Sequence, residues 1–503
     1  MIKSAPLHFL TFLFFILFTS NVHAAPDEIQ IKAGTSKITG RLTSANQQDP
    51  SNILVNLTVP LPISGEYIKY EGKVDKSGQF SIDVNLETSI SLIIMSTSIN
   101  PDHSLIVKLK NGGTTNLDIA YDLSNAIKEI RANPAMPEND ILQGFEVLYS
   151  MIVHRSGRPL EELYSKNTDY FLDHAERIVD ERAAIIRNDT RLTPSLKQVL
   201  EREIKFYMYR THVFDYEAEM LLNYRNVTQN EDTRPDLKKV DRTYFRFLKD
   251  LKLEDSQYLL GFSFFEFQRD VLRNEILSLP SIGDMDINTW LKSVKVILAE
   301  LVGFDNGIYY DVLAANAYGK QLVEEVRPLT EKQKKNITKY WKGGEIAKIL
   351  FAKNQQVIEL ARAKVAVNIN DISSVPVEQV METITGKYKN KVVLVDLWAT
   401  WCGPCVNAMQ QFSAAKDEFR DQDVTFVYLT NESSPKKLWE EKIQGIGSEH
   451  YYLTPAQWEH VMEKYNFEVI PSYLLFDKQG KMVDSFTGFP GSDVVERKIK
   501  SLL

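Results

Sequence analysis

Residues 391–405 read Lys391-Val392-Val393-Leu394-Val395-Asp396-Leu397-Trp398-Ala399-Thr400-Trp401-Cys402-Gly403-Pro404-Cys405. After Lys391 the run VVLVDL is continuously apolar apart from its acid, which predicts a strand buried on both faces. Beyond the cysteines, Val406, Met409, Phe412, Ala415 and Phe419 recur at helical spacing and mark one face of a helix. Further strands are expected over 424–429 and 472–476. A tight turn at Asp477-Lys478-Gln479-Gly480 leads into Lys481-Met482-Val483, and a last helix capped by Ser492 or Asp493 reaches Leu502. This order predicts an α/β sheet with helices on both faces over residues 365–503.

Cys402 and Cys405 are the two cysteines of the 503-residue chain. The pattern places Cys402 at the N-terminal end of a helix, where unpaired N–H groups and the helix dipole favour negative charge. A thiolate there is stabilised, and its pKa falls below the free value of ~8.5. Cys405 lies one turn further in, close enough to close a disulfide and less exposed. Cys402 is then the attacking sulfur and Cys405 the resolving one. Two other readings stand beside this redox pair. Structural zinc needs two more ligands, and neither a second C-x-x-C nor H-x₃₋₅-H is present. A purely structural disulfide is the other.

The remaining three quarters of the chain divide by period. Residues 1–24 carry one basic residue, Lys3, an apolar run over 7–18, and Val22-His23-Ala24 with small residues at −3 and −1. They are expected to be a signal peptide cleaved after Ala24, because the run is shorter than the ~20 residues a spanning helix needs. Residues 25–121 alternate in short segments such as 53–59, 80–84 and 105–109, separated by Asp75-Lys76-Ser77-Gly78 and Asn111-Gly112-Gly113. An antiparallel β-sandwich is expected there. Residues 122–364 are poor in glycine and apolar at helical spacing, which predicts an all-α middle domain. One of its helices starts at Thr193-Pro194, a hydroxyl cap followed by proline. Its aromatic runs 206–209 and 262–267 read as core rather than a ligand groove.

Composition narrows the function classes. With 44% hydrophobic and 25% charged residues the chain can bury several cores, and a net charge of −8 argues against nucleic acid as a partner. Cysteines pair readily in an oxidising compartment. An exported chain with a single cysteine pair therefore suits a redox enzyme whose reactive thiols meet no stray competitors.

Residues from about 371 to 503 resemble a thioredoxin-fold domain, and Trp398-Ala399-Thr400-Trp401-Cys402-Gly403-Pro404-Cys405 resembles the TlpA/ResA-type periplasmic thiol–disulfide oxidoreductases. Val74-Asp75-Lys76-Ser77-Gly78-Gln79-Phe80 and Gly112-Gly113 are similar to the β-rich N-terminal modules of multidomain TlpA-like proteins. The resemblance implies a cis proline at Ile470-Pro471 opposite the cysteines, with the Ile470 backbone free to pair with an extended substrate. It implies that Asp396 is a buried acid able to take the Cys405 proton. Trp398 and Trp401 match aromatics that shield the site. Trp401, Gly403, Pro404, Ile470 and Pro471 are the expected substrate contacts, and neither metal nor cofactor is called for. Gln410 stands where the family often has a helix proline.

A C-x-x-C can reduce, oxidise or isomerise. Gly403-Pro404 is the thioredoxin-like dipeptide and lacks the histidine common in stronger oxidants, so reduction is favoured. The implied partners are disulfide-containing exported proteins, oxidised apocytochrome c among them, and a membrane thiol reductant that returns the electrons. A peroxidase reading fails on P-x-x-x-T-x-x-C, because Ala399 occupies the threonine position. The rival from another class is a surface-assembly or ligand-binding protein with an accessory redox domain.

Overall fold

The computed structural model describes residues 29–46, 49–154, 157, 159–230, 232–362, 367–419 and 422–503. The expected signal peptide, residues 1–24, and the expected boundary at 364/365 both lie outside the described residues.

The N-terminal module contains β1 (Ile31–Ser44), β2 (Leu54–Leu61), β3 (Glu66–Lys73), β4 (Gln79–Thr88), β5 (Ile90–Thr97), β6 (Asn100–Lys110), β7 (Thr114–Tyr121) and β8 (Ile127–Asn133). They form two four-stranded sheets, ordered β4-β1-β7-β8 and β3-β2-β5-β6. Alternation drives the packing. In β4, Phe80, Ile82, Val84 and Leu86 point inward while the residues between them face water. They meet Val55, Val59 and Val107 of the opposite sheet in a common core.

Two expectations are corrected here. The sandwich is not wholly antiparallel, because β1 and β7 run parallel from Lys37↔Thr114 to Ser44↔Tyr121. The chain crosses between sheets at residues 111–113, so β7 arrives beside β1 in the same direction. The sheet also continues past residue 121. Asp122 accepts hydrogen bonds from the Ser124 and Ala126 amides, Asn125 takes φ +63°, and the chain turns back into β8. As an edge strand carrying Lys128, Glu129 and Arg131, β8 reads as polar and is easily taken for the start of the helical region.

The middle of the chain contains α1 (Glu138–Val153), α2 (Thr168–Asn188), α3 (Pro194–His212), α4 (Tyr216–Thr228), α5 (Phe264–Arg273), α6 (Ile287–Val302), α7 (Ile308–Gly319), α8 (Glu331–Trp341) and α9 (Glu345–Arg362). Thr193 caps α3 by accepting from the Leu196 amide. The aromatic runs are core: Phe206 packs on Phe264 and Phe267 with centroids 5.7 and 5.0 Å apart. The apolar spacing from Tyr244 to Leu277 predicts a helix, but residues 242–251 and 256–260 are 3₁₀ turns and α5 begins only at Phe264.

The helical region is seated on the sandwich through buried polar contacts. Asn316 donates to the Pro62 and Ile63 carbonyls, both at 2.9 Å. Glu345 accepts from the Ala33 amide at 2.7 Å, and Lys353 pairs with Glu66 at 2.6 Å with both side chains about 10% exposed. Tyr67 donates its hydroxyl to the Phe262 carbonyl and sets its ring edge-on to Phe265 at 4.7 Å.

The C-terminal unit has β9 (Val367–Asn370), α10 (Val380–Gly386), β10 (Val392–Leu397), α11 (Gly403–Glu418), β11 (Val424–Thr430), α12 (Lys436–Ile443), β12 (Ser448–Tyr452), α13 (Pro455–Lys464), β13 (Ser472–Phe476), β14 (Met482–Thr487) and α14 (Ser492–Lys500). The sheet order is β14-β13-β10-β11-β12-β9. Central β10 is parallel to β11, antiparallel to β13, and buried throughout. Its alternation splits two cores. Val392 and Leu394 face the core built with α11, α12 and α14, whereas Val393, Val395 and Leu397 face α10 and α13. The last helix is capped differently from expectation. Gly491 occupies its N-cap, because the Ser492 hydroxyl donates to the Gln411 carbonyl and Asp493 pairs with Lys73 of β3 at 3.0 Å.

Tyr67→Phe keeps the ring packing and loses one hydrogen bond. It is expected to cost about 1 kcal/mol, and Tyr67→Ala clearly more, in equilibrium urea unfolding. Equal costs for the two would show that the ring contributes nothing to the seam.

Candidate active site

The site is built where β10 ends. Asp396 occupies the last inward position of β10 on the α11 side, flanked in register by Tyr428 of β11 and Tyr473 of β13. The chain then leaves the sheet through Trp398, Ala399 and Thr400, all buried. Their backbone groups still need partners. The Trp398 amide donates to the Leu429 carbonyl at 3.0 Å, and the Thr400 amide to the Ser434 hydroxyl at 2.9 Å. The Thr400 carbonyl accepts from the Lys442 amine at 2.7 Å.

Cys402 and Cys405 are joined by a disulfide, with Cα atoms 5.3 Å apart. Gly403 and Pro404 open α11 between them, and the Cys405 amide points at Cys402 Sγ at 3.2 Å. That N–H is one of those left unpaired at a helix start, and it would donate to a Cys402 thiolate in the reduced protein. Cys405 is fully buried and Cys402 is 3% exposed. Trp401 by contrast is 63% exposed and anchored by its indole N–H on the Ser433 hydroxyl at 3.0 Å.

Ile470-Pro471 is a cis peptide, and the Ile470 carbonyl lies 3.8 Å from Cys402 Sγ. The structure thus brings Cys402, Cys405, Gly403, Pro404, Trp401, Ile470 and Pro471 to one end of the sheet. Val469, next to Ile470 in the chain, is 58% exposed and adds a second apolar side chain, in addition to Trp401, for a substrate to meet. Helix α11 runs unbroken through Gln410.

Asp396 is fully enclosed on the α11 side of the sheet. Burial pushes its carboxyl well above the usual carboxylate range, and the Lys416 ammonium opposes that shift. Its Oδ1 and the Tyr473 hydroxyl have no hydrogen-bond partner among the described residues, and both side chains line a cavity of about 10 Å³ with Tyr428 and Phe412. Lys416 reaches this region from α11, donating to the Tyr428 hydroxyl at 3.2 Å and the Ile446 carbonyl at 2.7 Å.

Sequence reasoning missed the groups that support the loop. Ser434 lies 34 residues and Lys442 42 residues beyond the amide and carbonyl they satisfy, on elements with no motif of their own. Burial pulls the Lys442 ammonium down to about 8, against the opposing pull of Glu325 and Glu324. His450, stacked on Tyr428 at 5.0 Å, is held down to about 4 by burial and is therefore neutral at pH 7.

The C-terminal unit that carries this site is similar to known proteins. Residues 377–502 match the Redoxin family. The C-terminal unit is a thioredoxin-like fold. The thiol–disulfide oxidoreductase ResA of Geobacillus kaustophilus is 27% identical over 115 residues, covering 23% of this chain and 65% of that protein's own length. The thiol–disulfide oxidoreductase YkuV of Bacillus subtilis is 27% identical over 117 residues, covering 22% of this chain and 78% of that protein. The thioredoxin domain of a Bacteroides vulgatus thiol–disulfide oxidoreductase is 22% identical, over 23% of this chain and 83% of that one, with a TM-score of 0.21.

Because the Asp396 pKa is raised on folding, its contribution to stability is fully present below the unfolded value of ~3.9 and is lost as pH rises toward the folded value. Asp396→Asn removes this loss. The variant is expected to be more stable than the parent at pH 8, with the gap shrinking at pH 4. Urea midpoints at the two pH values test it, and a gap independent of pH would mean Asp396 is not held protonated.

Proposed function

We propose that the chain is an exported, periplasmic thiol–disulfide oxidoreductase that reduces disulfides of exported proteins through the Cys402/Cys405 dithiol. The observation that carries this reading is the pair itself: one sulfur receives a helix-start N–H while lying 3.8 Å from the carbonyl before a cis proline. Similarity over residues 377–502 supports the reaction class. Residues 7–18 and Val22-His23-Ala24 support export, and no helix of the described residues is long and apolar enough to cross a membrane.

In the reduced protein the Cys402 thiolate attacks a substrate disulfide. A Cys402–substrate bond forms and the first substrate sulfur leaves as a thiolate. Cys405 then gives up its proton and attacks Cys402 Sγ, closing the protein disulfide and releasing the second substrate thiolate. Two electrons have passed to the substrate. The role of Asp396 is to receive the Cys405 proton in its carboxylate form, whose proton affinity burial raises.

Trp401, Val469 and the Ile470 backbone form the rim on which an extended substrate segment lies, its backbone pairing with Ile470. Oxidised apocytochrome c belongs to this substrate class. The sequence holds no third cysteine, so the dithiol is regenerated by an external one, assigned here to a membrane thiol reductant.

Cys402→Ser is expected to abolish reduction of a protein disulfide, and Cys405→Ala to accumulate a mixed disulfide seen on a non-reducing gel. No adduct from Cys405→Ala would refute the two-step order. The potential of the couple in glutathione buffer should fall nearer the thioredoxin value of ~−270 mV than the DsbA value of ~−120 mV. A value near the latter would reverse the direction proposed.

A further inference from the structure

The loop before Cys402 receives a hydrogen bond that also touches another domain. Lys442, on α12 and 8% exposed, donates to the Thr400 carbonyl at 2.7 Å and to the carbonyl of Glu324. Glu324 ends a π-turn, Lys320–Glu324, that continues α7 of the helical domain. Both acids beside the amine are occupied by arginines. Glu324 pairs with Arg273, and Glu325 with Arg327 at 2.8 Å. The amine is therefore left to bridge two backbone carbonyls from different domains.

A second contact follows at once. Val326 packs against both the helical core and the core of the C-terminal unit, where it shares a cavity of about 60 Å³ with Trp398, Val406 and Met409. It does so at φ +46°, in the left-handed region that a β-branched residue avoids. Such a conformation persists only where its surroundings enforce it.

The enforcing surroundings reach back to the sandwich. A Cβ on Gly319, just before the π-turn, would sit 2.3 Å from the Ser64 carbonyl oxygen, so α7 ends pressed on the sandwich backbone. The π-turn is thus fixed at its start by one domain and presents Glu324 and Val326 to another.

We propose that Lys442 is a positioning residue through which the helical domain sets the redox equilibrium of the Cys402/Cys405 pair, with Val326 as the wedge that holds the two domains in register. The inference rests on the thiol–disulfide reading above. The Lys442 ammonium fixes the Thr400 carbonyl two residues before Cys402 and brings positive charge to that side of the loop. This favours the state in which Cys402 is a thiolate.

The test uses the full chain equilibrated with reduced and oxidised glutathione. In the exchange, two glutathione thiols reduce the protein disulfide to the dithiol and become one glutathione disulfide. Lys442→Met keeps the apolar stem and loses both hydrogen bonds and the charge. It is expected to shift the equilibrium about tenfold toward the protein disulfide, about 30 mV, with Lys442→Arg recovering most of the shift. Val326→Gly, which accepts φ +46° without the wedge, should move it at least threefold in the same direction.

A folded Lys442→Met within twofold of the parent overturns the proposal, since a merely structural lysine would alter stability and leave the equilibrium in place. If Lys442→Met does not fold, Val326→Gly decides by the same threshold. A parent protein that exchanges no electrons with glutathione would instead refute the thiol–disulfide reading itself.

Discussion

A buried loop cannot leave its backbone polar groups unpaired, and that constraint governs the end of β10. Inside the sheet, β11 and β13 satisfy the strand on either side. Past Leu397 the ladders run out while the chain stays buried through Thr400. Partners must then come from wherever the fold can send them: Leu429 and Ser434 from the same unit, and Lys442 from a helix that itself leans on another domain. Only a loop held in this way delivers Cys402 to the start of α11 with its sulfur facing an amide of its own helix.

The central strand and its helix were legible because their physics is local. Continuous burial of VVLVDL (Val392–Leu397), helical spacing of Val406, Phe412, Ala415 and Phe419, and a cysteine pair three apart each announce themselves within a few residues. Asp396 was legible through family resemblance, and its burial has a local basis, since it shares the parity of Val392 and Leu394 on a strand covered on both sides. The supporting groups were not legible. A serine 34 residues away and a lysine 42 residues away carry no pattern that links them to Thr400.

The same distinction explains where the structure departs from local pattern elsewhere in the chain. Alternation revealed the sandwich, but strand direction depends on where the chain crosses between sheets, and nothing in the alternation of β1 or β7 encodes their parallel pairing. The edge strand β8 spends its outward positions on charge and so resembles a solvated helix face. Ser492 and Asp493 looked like caps because their chemistry suits capping, yet tertiary partners claimed both side chains.

The contacts that seat the helical region on the sandwich join residues remote in sequence. The Ala33 amide is satisfied by Glu345, Glu66 is neutralised by Lys353, and the Pro62 and Ile63 carbonyls are met by Asn316. A nascent chain emerging amino-terminus first therefore presents its opening strands long before their counterparts exist. The module made earliest is among the last to be completed, and a gene fragment ending at β8 would encode a piece whose helix-facing surface still awaits Glu345 and Lys353, more than two hundred residues further on.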